Sequence, residues 1–402
     1  MEHIQIAQID LLLTDSIIEL ESIWRMFHHD NILFGYEYLS ALEASPPSDM
    51  SFLYACIQQA GVNLGLIYFQ LVPFNATERL KLHVHEGYTP THLDRLALGV
   101  KRFLARQLDL KIIIGGSLLA AGPYGFYFKP DVEISFREYL MHEIIRYLMK
   151  SPAWTKGAQI FIIKDLPSDA RLPMICSYKL PSFYEFTVQP IMIMNIRAEW
   201  QQFEDYMSAL QSKYRVKTRK VLKSGLEIKE LDLDLEQLKK YNSVVIELYL
   251  QIANAAGFNL VELNENYFLA LKEKCPKSFT IKLLLVDDQP VAFYCYFISG
   301  PSLNAHYVGY DRHMNNKYEL YHNLLLKFVN AAIYHRCGNI NFARTAMEIK
   351  SSVGAEPVDY YSYIAHRSRI YNKVIPHLLE FLKPNETWTQ RSPFKDSPNL
   401  VV

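Results

Sequence analysis

A chain of 402 residues with 42 basic and 42 acidic side chains, and an isoelectric point near 7.2, has no whole-molecule field to attract a polyanion. Any nucleic-acid or phosphate contact must therefore be local. Half of the residues are hydrophobic and 13% aromatic, enough for large cores, and the length predicts about two domains. The five cysteines (Cys56, Cys176, Cys275, Cys295, Cys337) show no CxxC pair and no Cys–His cluster, which argues against a disulfide framework or a zinc site and suits a reducing compartment.

The N-terminal MEHIQIAQIDLLLTDS places Glu2 before a short apolar run, without a basic lead or a small-residue cleavage site, and makes a poor signal peptide. No stretch approaches the length of a membrane span; the nearest, Lys111–Tyr127, is broken by Gly-Gly and Gly-Pro. A cytoplasmic protein is expected. The spacing of Ile17, Leu20, Ile23, Trp24 and Phe27 predicts a helix over Asp15–His29, with Asp15 as its cap. FLYACIQQAGVNLGLIYFQLV predicts a hairpin turning at Gln59–Asn63. A helix over Thr91–Gln107, a buried strand with a Gly-rich bend in KIIIGGSLLAAGPYGFYF, a helix over Ile134–Met149 and a strand over Gln159–Ile163 follow. Gly115-Gly116 lacks both the GxGxxG spacing and a GKS/T ending, so the pair is read as turn residues.

Prolines crowd Leu166–Pro190, which sets a domain boundary there: residues 1–189 and 190–402. Beyond it come strands at Tyr184–Val188 and Ile191–Asn195, then a helix over Ala198–Lys223 that ends in six cations with no acid among them: Lys213, Arg215, Lys217, Arg219, Lys220 and Lys223. These cations suit either an anion site or a solvated helix end capped by Gly225. A strand over Leu226–Leu231 and helices over Asp234–Ala256 and Glu265–Lys274 precede two apolar strands turning at Val286–Val291. NAHYVGYD forms the next strand, Asp311–Lys317 a polar loop, Tyr318–His335 an amphipathic helix, Ile340–Phe342 a short strand and Glu348–Ser352 a helix ending at Gly354. The tail after Lys383 is expected to be mobile.

The loop before Tyr318 is the best candidate for chemistry, because the free N–H groups of a helix start attract an anion such as a pyrophosphate, with Arg312, His313 and Lys317 nearby. His306 suits either a general base or a core histidine. Glu348 and Lys350 lie close to Arg344, as an acid and a base at a cleft edge or as a charged helix face with an i,i+4 pair. No metal-ligand spacing, GxSxG, SxxK or Walker pattern occurs, and His83/His85 is a weak metal signal.

Three stretches, KYRVKTRKVLKSG, HYVGYDRHMNNKYELYHNLLLKFVNAAIYHRCG and NINFARTAMEIKSSVGAEP, together resemble the Fem-like, peptidoglycan-biosynthesis-type branch of the GNAT N-acyltransferases. The resemblance covers Ala198–Pro357 and reaches the first half only in gross pattern. It implies an α/β (α+β) fold of tandem GNAT-like domains, each a mixed, largely antiparallel sheet flanked by helices. It also implies acyl transfer from acetyl-CoA or another acyl-CoA to an amine of a small molecule, peptide or cell-wall precursor, without a metal. The donor would be held by Tyr310, Arg312, Asn316, Lys317, Tyr318, Leu320 and Tyr321, and the acceptor by Arg344, Thr345 and Lys350; the resemblance names no catalytic base, and His306 or Glu348 is expected in that role from residue chemistry alone. Two alternatives stand beside it: aminoacyl-tRNA as the donor, with the basic helix on RNA phosphates, or a GNAT-like module that only binds. The loop carries no glycine where the branch has its Gly-x-Gly/Ala, and Ala343 stands where its Gly-Arg-Thr has glycine.

Overall fold

The computed structural model describes residues 1–6, 8–27, 31–75, 109–176, 182–255, 261–382 and 388–396. The helix predicted over Thr91–Gln107 falls outside them. The strands of the first half are β1 (Glu2–Ile6), β2 (Ile9–Thr14), β3 (Ser51–Gln59), β4 (Val62–Asn75), β5 (Asp109–Gly115), β6 (Phe126–Phe128), β7 (Ile160–Leu166) and β8 (Tyr184–Thr187). Those of the second are β9 (Ile191–Asn195), β10 (Lys229–Asp232), β11 (Phe279–Val286), β12 (Gln289–Ser299), β13 (Ser302–Tyr310), β14 (Asn339–Asn341), β15 (Glu356–Val358) and β16 (Tyr361–His366). They build two sheets. One has the order β1-β2-β3-β4-β5-β7-β16-β8 with β6 on β4, the other β10-β11-β12-β13-β14-β9-β15.

Each sheet is antiparallel except for one parallel pair, β5–β7 in the first and β13–β14 in the second. Local chemistry explains the hairpins. Ala60 and Gly61 turn β3 into β4 at φ 48° and 77°, and Asp287 and Asp288 turn β11 into β12 at φ 49° and 60°. Consecutive left-handed residues give the twist that tight hairpins need. β12 is central, and its VAFYCYF run is buried on both faces.

Helices cover the sheets through apolar stripes. Ile134–Lys150 buries Leu140, Met141, Ile144, Ile145 and Leu148 on the first sheet, and Leu320–Tyr334 buries Leu324, Leu325, Phe328, Val329 and Ala332 on the second. A third cluster joins the halves: Trp24, Tyr38 and Tyr54 share it with Tyr267, Phe268 and Phe297. Across that junction Ile32 N donates to Ser299 Oγ at 3.0 Å and Ser45 Oγ to Asn264 Oδ1 at 2.9 Å.

Several expectations are corrected. Residues 190–402 do not form one unit, because β16 returns to the first sheet and inserts between β7 and β8. The Asp15–His29 helix is a 3-10 turn at Ile17–Leu20 followed by a short helix at Glu21–Met26. Ala198–Lys223 is two helices, Phe203–Ala209 and Ser212–Ser224, separated by extended Leu210 and Gln211. Leu210 leaves the helix to bridge Phe394. Trp388–Asp396 therefore packs on the protein: Phe394 lies against Trp200 and Tyr206, and Gln211 N donates to Pro393 O at 2.8 Å.

Candidate active site

The parallel pair β13–β14 is in register only from Ser302/Asn339 to Asn304/Asn341. Past Asn304, β13 runs on to Tyr310 while the other chain turns away through Phe342 and Ala343. The wedge between them opens into a cavity of about 370 Å³, lined by Asn304–Tyr307 on one side and by Asn341 and Ala343–Thr345 on the other. The first half closes it with Leu118–Ala121, Tyr124 and Lys164. Tyr124 OH donates to Asn304 Oδ1 at 3.0 Å and Asn341 Nδ2 to Ala121 O at 2.7 Å, so side chains at the mouth of the wedge hold the two halves together. Gly125 allows the Gly-rich loop to fold this tightly, since a Cβ there would meet the Gly115 and Gly116 backbone at 2.6 Å.

His306 sits at the bend of the wedge. The register with β12 steps from Cys295/Tyr307 to Tyr296/Ala305 and leaves His306 as the unpaired residue of a β-bulge. Its Nε2 shares a 2.7 Å hydrogen bond with Tyr267 OH, and Phe297 and Tyr307 meet its ring at 5.1 and 4.7 Å. Burial pushes its imidazole down to about 3. It is neutral at physiological pH and a weak proton acceptor.

Arg344 reaches into the same cavity from a strained turn. Ala343, Thr345 and Ala346 all have positive φ, 57°, 65° and 48°, and a left-handed β-branched Thr345 marks a backbone held by its surroundings. Buried Lys350 holds it, donating to Phe342 O at 2.7 Å and Arg344 O at 2.5 Å, while Ala343 N donates to Asn341 Oδ1 at 2.8 Å. Burial pushes the Lys350 ammonium down to about 7. Arg344 makes a two-pronged pair with Asp165, Nη1 to Oδ2 at 3.0 Å and Nη2 to Oδ1 at 2.6 Å, and its Nε donates to Gln189 O at 2.8 Å. Lys164 donates to the same Asp165 Oδ2. Burial alone would raise the Asp165 carboxyl, but Lys164 and Arg344 outweigh it and hold the group below the usual carboxylate range. Burial and the Arg344 charge lower Lys164 against the pull of Asp165.

Arg344, Thr345 and His306 are thus brought to one cavity, with Lys350 behind the turn. Glu348 is not there. It lies half exposed in a separate open trough with Lys213, Lys217 and Trp388, and its carboxylate pairs with Arg391. The donor residues also differ from expectation. Asp311–Lys317 is not a loop but the helix Arg312–Tyr318, capped by Asp311 Oδ1 on His313 N at 2.8 Å. Tyr318 and Leu320 are buried, Arg312, Asn316 and Lys317 are exposed, and Tyr310 and Tyr321 place their rings 6.0 Å apart. The next helix starts at Leu320 behind left-handed Glu319, and Tyr321 N already donates to Asn315 Oδ1 at 3.0 Å. A pyrophosphate does not fit this start unless Asn315 moves aside. Among the described residues no group of three or more His, Cys, Asp or Glu could hold a metal ion, and no helix is long and apolar enough to cross a membrane.

Sequence reading missed Lys164, Asp165, Asn304, Asn341 and Tyr124. A Lys-Asp pair closing the apolar strand FIIKDL was the one available signal, because charges at a buried strand end need partners.

The fold is mixed α/β, two largely antiparallel sheets flanked by helices, and a solved structure shares it. The crystal structure of FemX superposes with a TM-score of 0.51 over 94% of this chain and 100% of that one, at 12% identity, a likeness that shows the fold alone. A tandem GNAT protein from the clavulanic acid biosynthesis pathway (TM-score 0.45, 9% identity, 89% of this chain and 99% of that one) is too loose a match to carry an argument. The same holds for L-PGS from Bacillus licheniformis (0.41, 12%, 86% and 96%). No protein-family model and no curated protein matches the sequence.

Proposed function

We propose that the protein is an N-acyltransferase that joins an activated acyl group to an amine in the β13–β14 wedge. The observation that carries this reading is the cavity where the strands part, with the unpaired bulge residue His306 at its wall and a fixed guanidinium opposite. The amine nitrogen attacks the acyl carbon, the bond to the leaving sulfur or oxygen breaks, and the proton lost by the amine ends on the leaving group. The His306 backbone N–H, at the bulge where the register shifts, is the donor for the carbonyl oxygen as it gains charge. With an imidazole near 3, the ring is better suited to ordering the Tyr267 hydroxyl than to taking the proton, so the amine enters neutral or gives its proton to water. Glu348 has no part in this step.

The test is release of free thiol from acetyl-CoA and longer acyl-CoAs in the presence of an amine panel. Release that depends on the amine supports the reading, and no binding and no release with any donor ends it. A second reading, aminoacyl-tRNA as the donor, is favoured by the Ser212–Ser224 helix, where none of the six cations forms a salt bridge with a described residue. It fits the capped Tyr321 amide better than a coenzyme pyrophosphate does. In that case tRNA affinity falls steeply with salt, and a flat salt response rules it out.

A further inference from the structure

The cavity in the wedge has an unbalanced charge. Among the described residues that line it, Lys164 and Arg344 are cationic and none is a carboxylate. Their common partner, Asp165, is wholly buried and already accepts from four donors. Oδ1 takes Arg344 Nη2, while Oδ2 takes Lys164, Arg344 Nη1 and Gly122 N, the last at 3.2 Å. The two cations nonetheless have donors left. The Arg344 guanidinium has five N–H groups and spends three, on Asp165 and Gln189 O. The Lys164 ammonium has three and spends one on Asp165 and one, at a long 3.5 Å, on Ala120 O. Their side chains are 18% and 16% exposed where Asp165 is not exposed at all, and both line the cavity, Lys164 also bordering a second, apolar pocket. Excess positive charge in a half-closed, low-dielectric space is costly unless a ligand brings an anion. The far wall is different in kind: Leu33, Leu118, Leu119 and Val261 are apolar.

We infer that the acceptor is an amine carrying its own anionic oxygen group, a carboxylate or a phosphate, which docks between Lys164 and Arg344 while an apolar portion lies on the leucine wall. This rests on the acyl-transfer reading for the role of the ligand, but not for its binding. It sets the amine near His306 by anchoring the far end of the same molecule, and it gives Lys164 a binding role that its place in the first half hides.

The test is calorimetric binding to the full chain of matched probes: L-leucine against L-leucinamide, and O-phosphoethanolamine against ethanolamine. The expected result is that at least one anionic probe binds, about tenfold or more tighter than its neutral partner. The leucine pair and the phosphate pair decide which anion it is. Inorganic phosphate should compete, which needs no variant. In Lys164→Gln the preference should collapse, and in Lys164→Arg it should return, with far-ultraviolet circular dichroism confirming that both variants fold. Equal binding of the charged and neutral probes, no binding by any anionic probe, or a preference that survives Lys164→Gln in a folded protein overturns the inference. Thiol release separates the two levels. If the charge preference holds but no donor releases thiol, acyl transfer fails and the anion site stands. If leucinamide and leucine are acylated at equal rates, the anion site fails and acyl transfer stands.

Discussion

At the residue level the most consequential side chain is Asp165, itself left-handed at φ 61° and fixed by Ser362 Oγ on its backbone N–H at 3.2 Å. Asp165→Asn would leave two buried cations sharing a neutral amide, and breaking a buried pair in this way costs on the order of 3–5 kcal/mol. Urea unfolding should show that loss, and a midpoint within error of the wild type would mean that the cluster contributes nothing. The buried histidines give a pH signature. Unfolded histidine takes up its proton near 6.5, but burial puts His306 near 3, and burial together with the Lys217 charge puts His322 near 4. Between those values the unfolded chain holds protons that the native one does not. The stabilisation is therefore complete above 6.5 and is lost as pH falls toward 4 and then 3. His322→Gln should lose less stability than the wild type between about pH 7 and pH 4.5; parallel losses would contradict this. Arg344 could be singled out in the chain, but its pairing with Asp165 could not. Arg344 and Asp165 are 179 residues apart, and only the β16 return and the wedge bring them within reach.

Elements with strong periodicity or turn chemistry were legible. The Asp234 cap, for example, marks the start of Leu235–Ala253, with Gln237 N donating to Asp234 Oδ1 at 2.8 Å. Elements whose form depends on distant partners were not. Residues Arg312–Tyr318 carry no apolar repeat and read as a loop, yet they coil because Asp311 caps them and Tyr318 is buried beneath them. The docked tail is another such case. Prolines and asparagines announced disorder, while the deciding fact was a place for the Phe394 ring over Gly354, where any Cβ would meet that ring at 2.5 Å. Phe394→Ala should cost about 3 kcal/mol and lower the melting temperature. No shift would show that the tail rests on the surface without holding it.

The two sheets do not behave as separate bodies. The shared cluster around Tyr38, Tyr267 and Phe297 and the return of β16 tie each half to residues of the other. Unfolding should therefore be one cooperative transition, with calorimetric and van't Hoff enthalpies equal. Two resolved transitions would show that the halves are independent. The overall class, two mixed and largely antiparallel sheets flanked by helices, could be anticipated from the resemblance, and the crossing of the chain between sheets could not, because β16 looks like any short alternating strand.

That crossing has a consequence for how the protein is made. β16 pairs with β7 on one side and β8 on the other, so the first sheet lacks its next-to-last strand until residue 366 has left the ribosome. Through most of synthesis β7 presents an open edge and β8 has no neighbour, although all their other residues have long since emerged. Folding is thus postponed until after most of the chain exists, and the nascent protein must be kept from pairing with itself or its neighbours during that interval.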